Sequence, residues 1–131
     1  MKRLLFVLLM MTCSISWAAW EFVGETDTYL HYVDRATIRK KGNFFEMWDM
    51  QSYLEAQEDR YGKNYKSVKT LVRYGCKDET RGIVSLVHYS KEHGSGDVVF
   101  TGAVKKNEIE DVPIVPGSAA EHVWRIVCKH R

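Results

Sequence analysis

The sequence predicts an α+β domain: an antiparallel β-sheet with a C-terminal α-helix packed on one face, tied by one disulfide. Three observations point there. Runs of aromatic and β-branched residues recur between Trp20 and Thr101, separated by turn residues. A single stretch with helical spacing of apolar residues follows near the C-terminus. Two cysteines, Cys76 and Cys128, remain once an export signal is subtracted.

The elements follow in order. Trp20, Phe22 and Val23 begin a first strand, stopped near Gly24. Thr28, Tyr29, Leu30, His31, Tyr32 and Val33 form a second. Asp34 is placed to cap a short helical turn through Ala36, Thr37 and Ile38. A tight turn at residues 39–43 leads into a strand over 44–53, with Phe45 and Met47 facing one way and Phe44, Trp48 and Met50 the other. Residues 55–66 are polar and read as a long loop.

Residues 67–76 alternate, with Val68, Val72, Tyr74 and Cys76 on one face and Lys69, Leu71 and Arg73 on the other. A strand over 80–90 is closed by Gly94, Ser95 and Gly96 onto another over 97–101. The charged stretch 105–111 reads as loop, and Pro113 and Pro116 mark an extended approach to the helix. There Ser118 and Glu121 have capping-box spacing, each able to satisfy the other's free backbone amide. Ala120, Val123, Trp124 and Val127 share one helical stripe.

The chain has 131 residues, enough for one domain, and its N-terminus reads as an address. Lys2 and Arg3 precede a short apolar run, Leu4 to Met11, and small residues follow. That run is too short for a bilayer span of roughly 20 residues, so a secretory signal is expected over residues 1–18. Ser16 and Ala18 place the cut before Ala19, leaving a mature domain of 19–131. Lipid attachment at Cys13 is disfavoured because Thr12, not a small residue, stands before it. The signal carries two of the 19 basic residues and none of the 17 acidic ones, so the formal charge of +2 falls to zero in the mature chain. A neutral domain is not a dedicated nucleic-acid binder. An exported chain with two cysteines is expected to join them, Cys76 to Cys128; the alternative is two free thiols.

Trp20, the Tyr32-Val33-Asp34 step, Trp48, Ser67-Val68-Lys69 leading to Tyr74-Gly75-Cys76, Tyr89-Ser90, and Pro116-Gly117-Ser118 before Trp124 and Cys128 occur in one order. This set resembles the surface-adhesin protein E family of Gram-negative bacteria, over roughly residues 20–128. The resemblance implies a disulfide-tied sheet with a packed helix, a homodimer, and binding of host matrix or serum proteins such as vitronectin, laminin and plasminogen. With no good lipid-attachment site, periplasmic residence is expected, with surface display or secretion as the alternative. A second class of function is an envelope-associated or inhibitor-type binding domain without an adhesin role.

Motifs for chemistry are missing: there is no Gly-rich phosphate loop, HExxH or GxSxG. Of the histidines His31, His88, His93, His122 and His130, His88 and His93 are five apart across a strand end, a poor metal-ligand spacing. The expectation is a non-enzyme with no cofactor. Two kinds of residue stand out for binding. Arg35, Arg39, Lys40 and Lys41 cluster, as do Lys63, Lys66 and Lys69, and such clusters suit a polyanionic glycan or acidic protein. Tyr61 and Tyr65 lie in the polar stretch beside Gly62, offering contact area at low entropic cost. The candidate ligand-binding residues are therefore Arg35, Arg39, Lys40, Lys41, Tyr61, Tyr65, Lys66 and Lys69.

Overall fold

The computed structural model describes residues 19–129. The proposed export signal and His130 lie outside the described residues. Seven strands and one helix follow in order: β1 (Glu21–Glu25), β2 (Tyr29–Lys41), β3 (Phe44–Glu58), β4 (Asn64–Gly75), β5 (Thr80–Tyr89), β6 (Val98–Ala103), β7 (Val112–Pro113) and α1 (Ala119–Cys128). The first six strands form an antiparallel meander in chain order. The outer edge of β5 is shared: its start pairs with β7 and its end with β6. The α+β layout read from the sequence is the observed one.

Alternation decides which side chains meet. Val33 of β2, Met47 of β3, and Val72 and Tyr74 of β4 point to one face of the sheet. The helix lays Val123, Val127 and Cys128 on them, and all seven residues are buried. Phe45, Ile38, Trp124 and Ile126 close the rim of this core. The Trp124 indole N–H donates to the Gly75 carbonyl at 3.1 Å, so the ring adds a directional bond to its apolar contact. Cys76 and Cys128 are joined, with Cα atoms 5.4 Å apart. The bond staples the end of the helix to the residue after β4.

Three local expectations are corrected. Residues 36–38 do not form a helical turn but stay within β2 as a bulge. The register steps from Asp34↔Trp48 to Arg39↔Glu46, leaving extra residues on β2. The capping chemistry is nevertheless present there: the Asp34 carboxylate accepts the Ala36 N–H at 3.1 Å, and the Thr37 hydroxyl bridges the Asp34 carbonyl (2.6 Å) and the Trp48 N–H (3.0 Å).

The polar stretch 55–66 is not a long loop. β3 runs on to Glu58 and β4 begins at Asn64, leaving a five-residue turn. Residues 53–56 bulge out of the β3–β4 ladder, and pairing resumes with Gln57↔Tyr65 and Glu58↔Asn64. The capping box closes one residue early. Ser118 Oγ accepts the Glu121 N–H at 3.2 Å, but the Glu121 carboxylate takes the Gly117 N–H at 2.6 Å. The Ser118 N–H is already bonded to the Val115 carbonyl, at 3.2 Å.

The face opposite the helix is partly covered by residues 90–97. Ser67 Oγ donates to the Lys91 carbonyl (2.6 Å) and accepts the Gly94 N–H (2.8 Å), while Ser52 Oγ accepts the His93 N–H (3.1 Å). Two buried hydroxyls thus bind backbone groups that would otherwise be orphaned in a connecting segment.

Candidate functional site

The β3–β4 hairpin is organised by one side chain. Asp59 Oδ1 accepts the backbone N–H groups of Tyr61 (2.8 Å) and Lys63 (2.9 Å). The Asp59 N–H in turn bonds the Lys63 carbonyl at 2.9 Å. Gly62 completes the turn with φ of 74°, a left-handed value that other residues adopt at a cost. These bonds to the carboxylate, led by that from Lys63, hold the Asp59 carboxyl below its ordinary range.

The turn places Tyr61 at the head of an aromatic row that crosses the sheet. Tyr29 on β2 meets Tyr53 on β3 (centroids 5.7 Å apart), and Tyr53 meets Tyr65 on β4 (5.9 Å). Tyr65 stacks on His88 of β5 at 4.0 Å, and His88 meets Phe100 of β6 at 5.4 Å. Tyr61 returns over Phe100 at 6.5 Å, with the rings tilted by 31°. Tyr29 and Tyr53 lie opposite each other on the helix side of the sheet, and His88 lies opposite Val68 on that side. The row therefore occupies the end of this face that α1 leaves open.

Glu58, Asp59, Arg60, Tyr61, Tyr65, Leu86, His88 and Phe100 line a cleft of about 320 Å³ at this end. Tyr61 remains 64% exposed, so its ring is available for contact. The Arg60 guanidinium lies 5.1 Å from the Tyr61 centroid. Burial pushes the His88 imidazole below its ordinary value, with the Asp59 charge opposing. Burial, helped by the neighbouring Tyr65 and Tyr29 phenols, raises Tyr53. Asp59 Oδ2 and His88 Nδ1 are buried without a hydrogen-bond partner among the described residues. Among the described residues no cluster of His, Cys, Asp and Glu is arranged to hold a metal ion.

Of the eight candidates from the sequence, the fold brings Tyr61 and Tyr65 together in this cleft. It leaves Arg39, Lys40 and Lys41 together at the end of β2 and disperses the other basic ones. Arg35 pairs with Glu21 at 2.7 Å. Arg39 donates to the carbonyls of Ala36 (3.0 Å) and Ile38 (2.8 Å), while Lys40 and Lys41 are exposed at the β2–β3 turn. Lys66 pairs with Glu92 at 2.7 Å, which lowers the Glu92 carboxyl. The Lys69 ammonium sits 5.0 Å from the Tyr89 ring centroid and 5.5 Å from that of Trp20, on the face away from the helix. The β2–β3 and β3–β4 turns lie at opposite ends of β3, whose stretch from Phe45 to Glu58 is matched by β4 from Tyr74 to Asn64, about 33 Å at the usual rise per residue.

His88 and Phe100 were not singled out by the sequence as contact residues. Their signal is positional: they face each other across β5 and β6, which only the register reveals. His31 and Asp49 form another pair found only in the structure, at 3.2 Å and largely buried.

The sequence matches the family model described as surface-adhesin protein E over residues 20–129. The fold is similar to that of the selenomethionine form of Haemophilus influenzae protein E, with a TM-score of 0.58 at 14% identity, covering 82% of this chain and 90% of that one. Protein E from non-typeable Haemophilus influenzae gives 0.56 at 15% identity, covering 81% and 78%. No curated protein shows a significant sequence match. With the family pattern running from Trp20 to Lys129, through every strand and the disulfide-tied helix, the chain belongs to the surface-adhesin protein E family.

Proposed function

We propose that this chain is an exported, non-enzymatic binding protein that uses the β3–β4 hairpin end to hold a protein partner, drawn from host matrix or serum. Residues 1–18 direct export, and 19–131 form the working domain. It resides in the periplasm, with the outer-membrane surface or secretion as the alternative, and needs no cofactor. The observation that carries the reading is the exposed Tyr61 over a cleft walled by Tyr65, His88 and Phe100, in a chain of an adhesin family. Protein contacts are enriched in such aromatics because they bury much area for few frozen torsions.

The test is binding of the chain from Ala19 onward to immobilised matrix and serum proteins, compared with its Tyr61→Ala variant. Specific binding that drops at least ten-fold in the variant supports the reading; no specific binding to any of them sinks it. Protease shaving of intact cells and mass spectrometry of the mature N-terminus check location and the cut before Ala19.

A second reading rests on the exposed Lys40 and Lys41 beside Arg39. This turn would hold a polyanionic glycan, and its binding would weaken steeply with added salt.

A further inference from the structure

The hairpin cleft has a chemistry more specific than apolar contact. Two of its walls are aromatic faces, from Tyr61 and Phe100, 6.5 Å apart between centroids and 31° from parallel. A cation placed between the two rings lies within the roughly 6 Å over which an aromatic face attracts it. The chain already uses this property, since the Arg60 guanidinium sits 5.1 Å over the Tyr61 ring. The remaining wall carries Glu58 and Asp59. Asp59 spends Oδ1 on the Tyr61 and Lys63 backbone N–H groups. Its Oδ2 is buried with no donor, and so is His88 Nδ1, the two groups acting electrostatically on each other. A carboxylate oxygen can only accept, and a neutral imidazole has one accepting nitrogen. The lining residues carry two carboxylates, Glu58 and Asp59, and one cation, Arg60, with Lys63 also acting on Asp59 from the turn. Aromatic faces beside carboxylates favour a cationic head over an anion.

We infer that the cleft formed by Tyr61, Phe100, His88, Asp59 and Glu58 is a receptor for the guanidinium or ammonium head of a basic side chain on a partner protein. The head lies against the Tyr61 and Phe100 rings, beside the Glu58 and Asp59 carboxylates. Burial lowers the His88 imidazole, which disfavours a competing positive charge there. Arg60 acts as the chain's own weak competitor for the Tyr61 ring. This assignment rests on the hairpin being the contact end, but it specifies a ligand chemistry that the adhesin reading does not.

The experiment titrates the chain from Ala19 onward, disulfide intact, with N-acetyl-arginine amide, N-acetyl-lysine amide and the neutral isostere N-acetyl-citrulline amide. Amide and side-chain chemical shifts are followed. The expected result is saturable shifts at Tyr61, Tyr65, His88 and Phe100 with one or both cationic probes, and at least ten-fold weaker binding of citrulline. Asp59→Asn, which keeps the turn-forming oxygen, should weaken the cation about ten-fold. Tyr61→Ala, at an exposed position, should weaken it about five-fold. Arg60→Ala should tighten it. Equal binding of citrulline, shifts confined to other surfaces, or no saturable shift overturns the assignment. If a host protein binds but Asp59→Asn leaves its affinity unchanged, the cation site is wrong and the adhesin reading stands. If the cationic probe binds while no host protein does, the adhesin reading fails and the site survives.

Discussion

Arg73 of β4 reaches Asp111 with two N–H···O bonds of 2.8 and 2.6 Å, while its guanidinium lies 4.3 Å from the Phe44 ring centroid. The pair is mostly shielded and fixes the segment before β7 to the sheet. Asp111 raises the Arg73 guanidinium, so its charge is permanent. Asp111→Ala should lower stability by about 2 kcal/mol, the range for bonds to a charged partner left behind. A fall in the urea midpoint at unchanged slope checks it. His88 governs a pH effect. Burial holds its folded pKa below the ordinary 6.5, although Asp59 pulls the other way. Between those two values the unfolded chain binds the proton and the folded chain resists it. The His88 contribution is thus present above about pH 6.5 and lost as pH falls below it. An imidazole titration by NMR should give a midpoint under 6.5. His88→Phe, which preserves a ring beside Tyr65, should flatten the acid limb of stability; an unchanged limb would place that dependence elsewhere.

Among the elements, α1 is held by three independent devices, and each can be removed separately. Ser118 Oγ caps its first turn, and Ser118→Ala should cost about 1 kcal/mol. The Trp124 indole bond to the Gly75 carbonyl should be worth about 1 kcal/mol, measured in Trp124→Phe. The disulfide spans 52 residues, and the paired Cys76→Ser and Cys128→Ser substitutions should cost about 4 kcal/mol in the chain-entropy model. Denaturant midpoints rank the three, and a cysteine effect no larger than the cap would refute the staple argument. This helix was legible because its signals are local: spacing, a cap and a cysteine. The bulge after Asp34 was not, because an aspartate bonding the amide two residues ahead can open a helical turn or tie a strand irregularity. Trp48, whose N–H donates to Thr37 Oγ1 across the ladder, decides between them. The same limit hid the full length of β3 and β4. Leu54, Glu55 and Ala56 are exposed in a bulge that interrupts the β3–β4 ladder, so no apolar alternation marked the pairing that resumes at Gln57 and Glu58.

At the scale of the whole molecule, neutrality and length divide the binding surface. Tyr61 and Tyr65 were legible as contact candidates, whereas of the basic residues only Arg39, Lys40 and Lys41 stay together and exposed. Lys66 and Arg35 are spent on ion pairs, and Lys69 on aromatic rings. What remains is an aromatic end with paired carboxylates at the β3–β4 hairpin and a cationic end at Lys40 and Lys41, at opposite ends of β3. Charges about 33 Å apart along the sheet lie several Debye lengths from each other at physiological salt. They should act without coupling. A protein partner held at the hairpin should lose at least ten-fold in affinity with Tyr61→Ala and change less than two-fold with the Arg39→Ala/Lys40→Ala/Lys41→Ala triple variant. A sulfated glycan should show the reverse pattern, and combined substitutions should add in free energy because the sites share no neighbours. Equilibrium titrations of all three variants at low and high salt test this. If the triple variant abolishes protein binding, a single extended contact surface replaces the two-ended one, and the partner must be long enough to span the sheet.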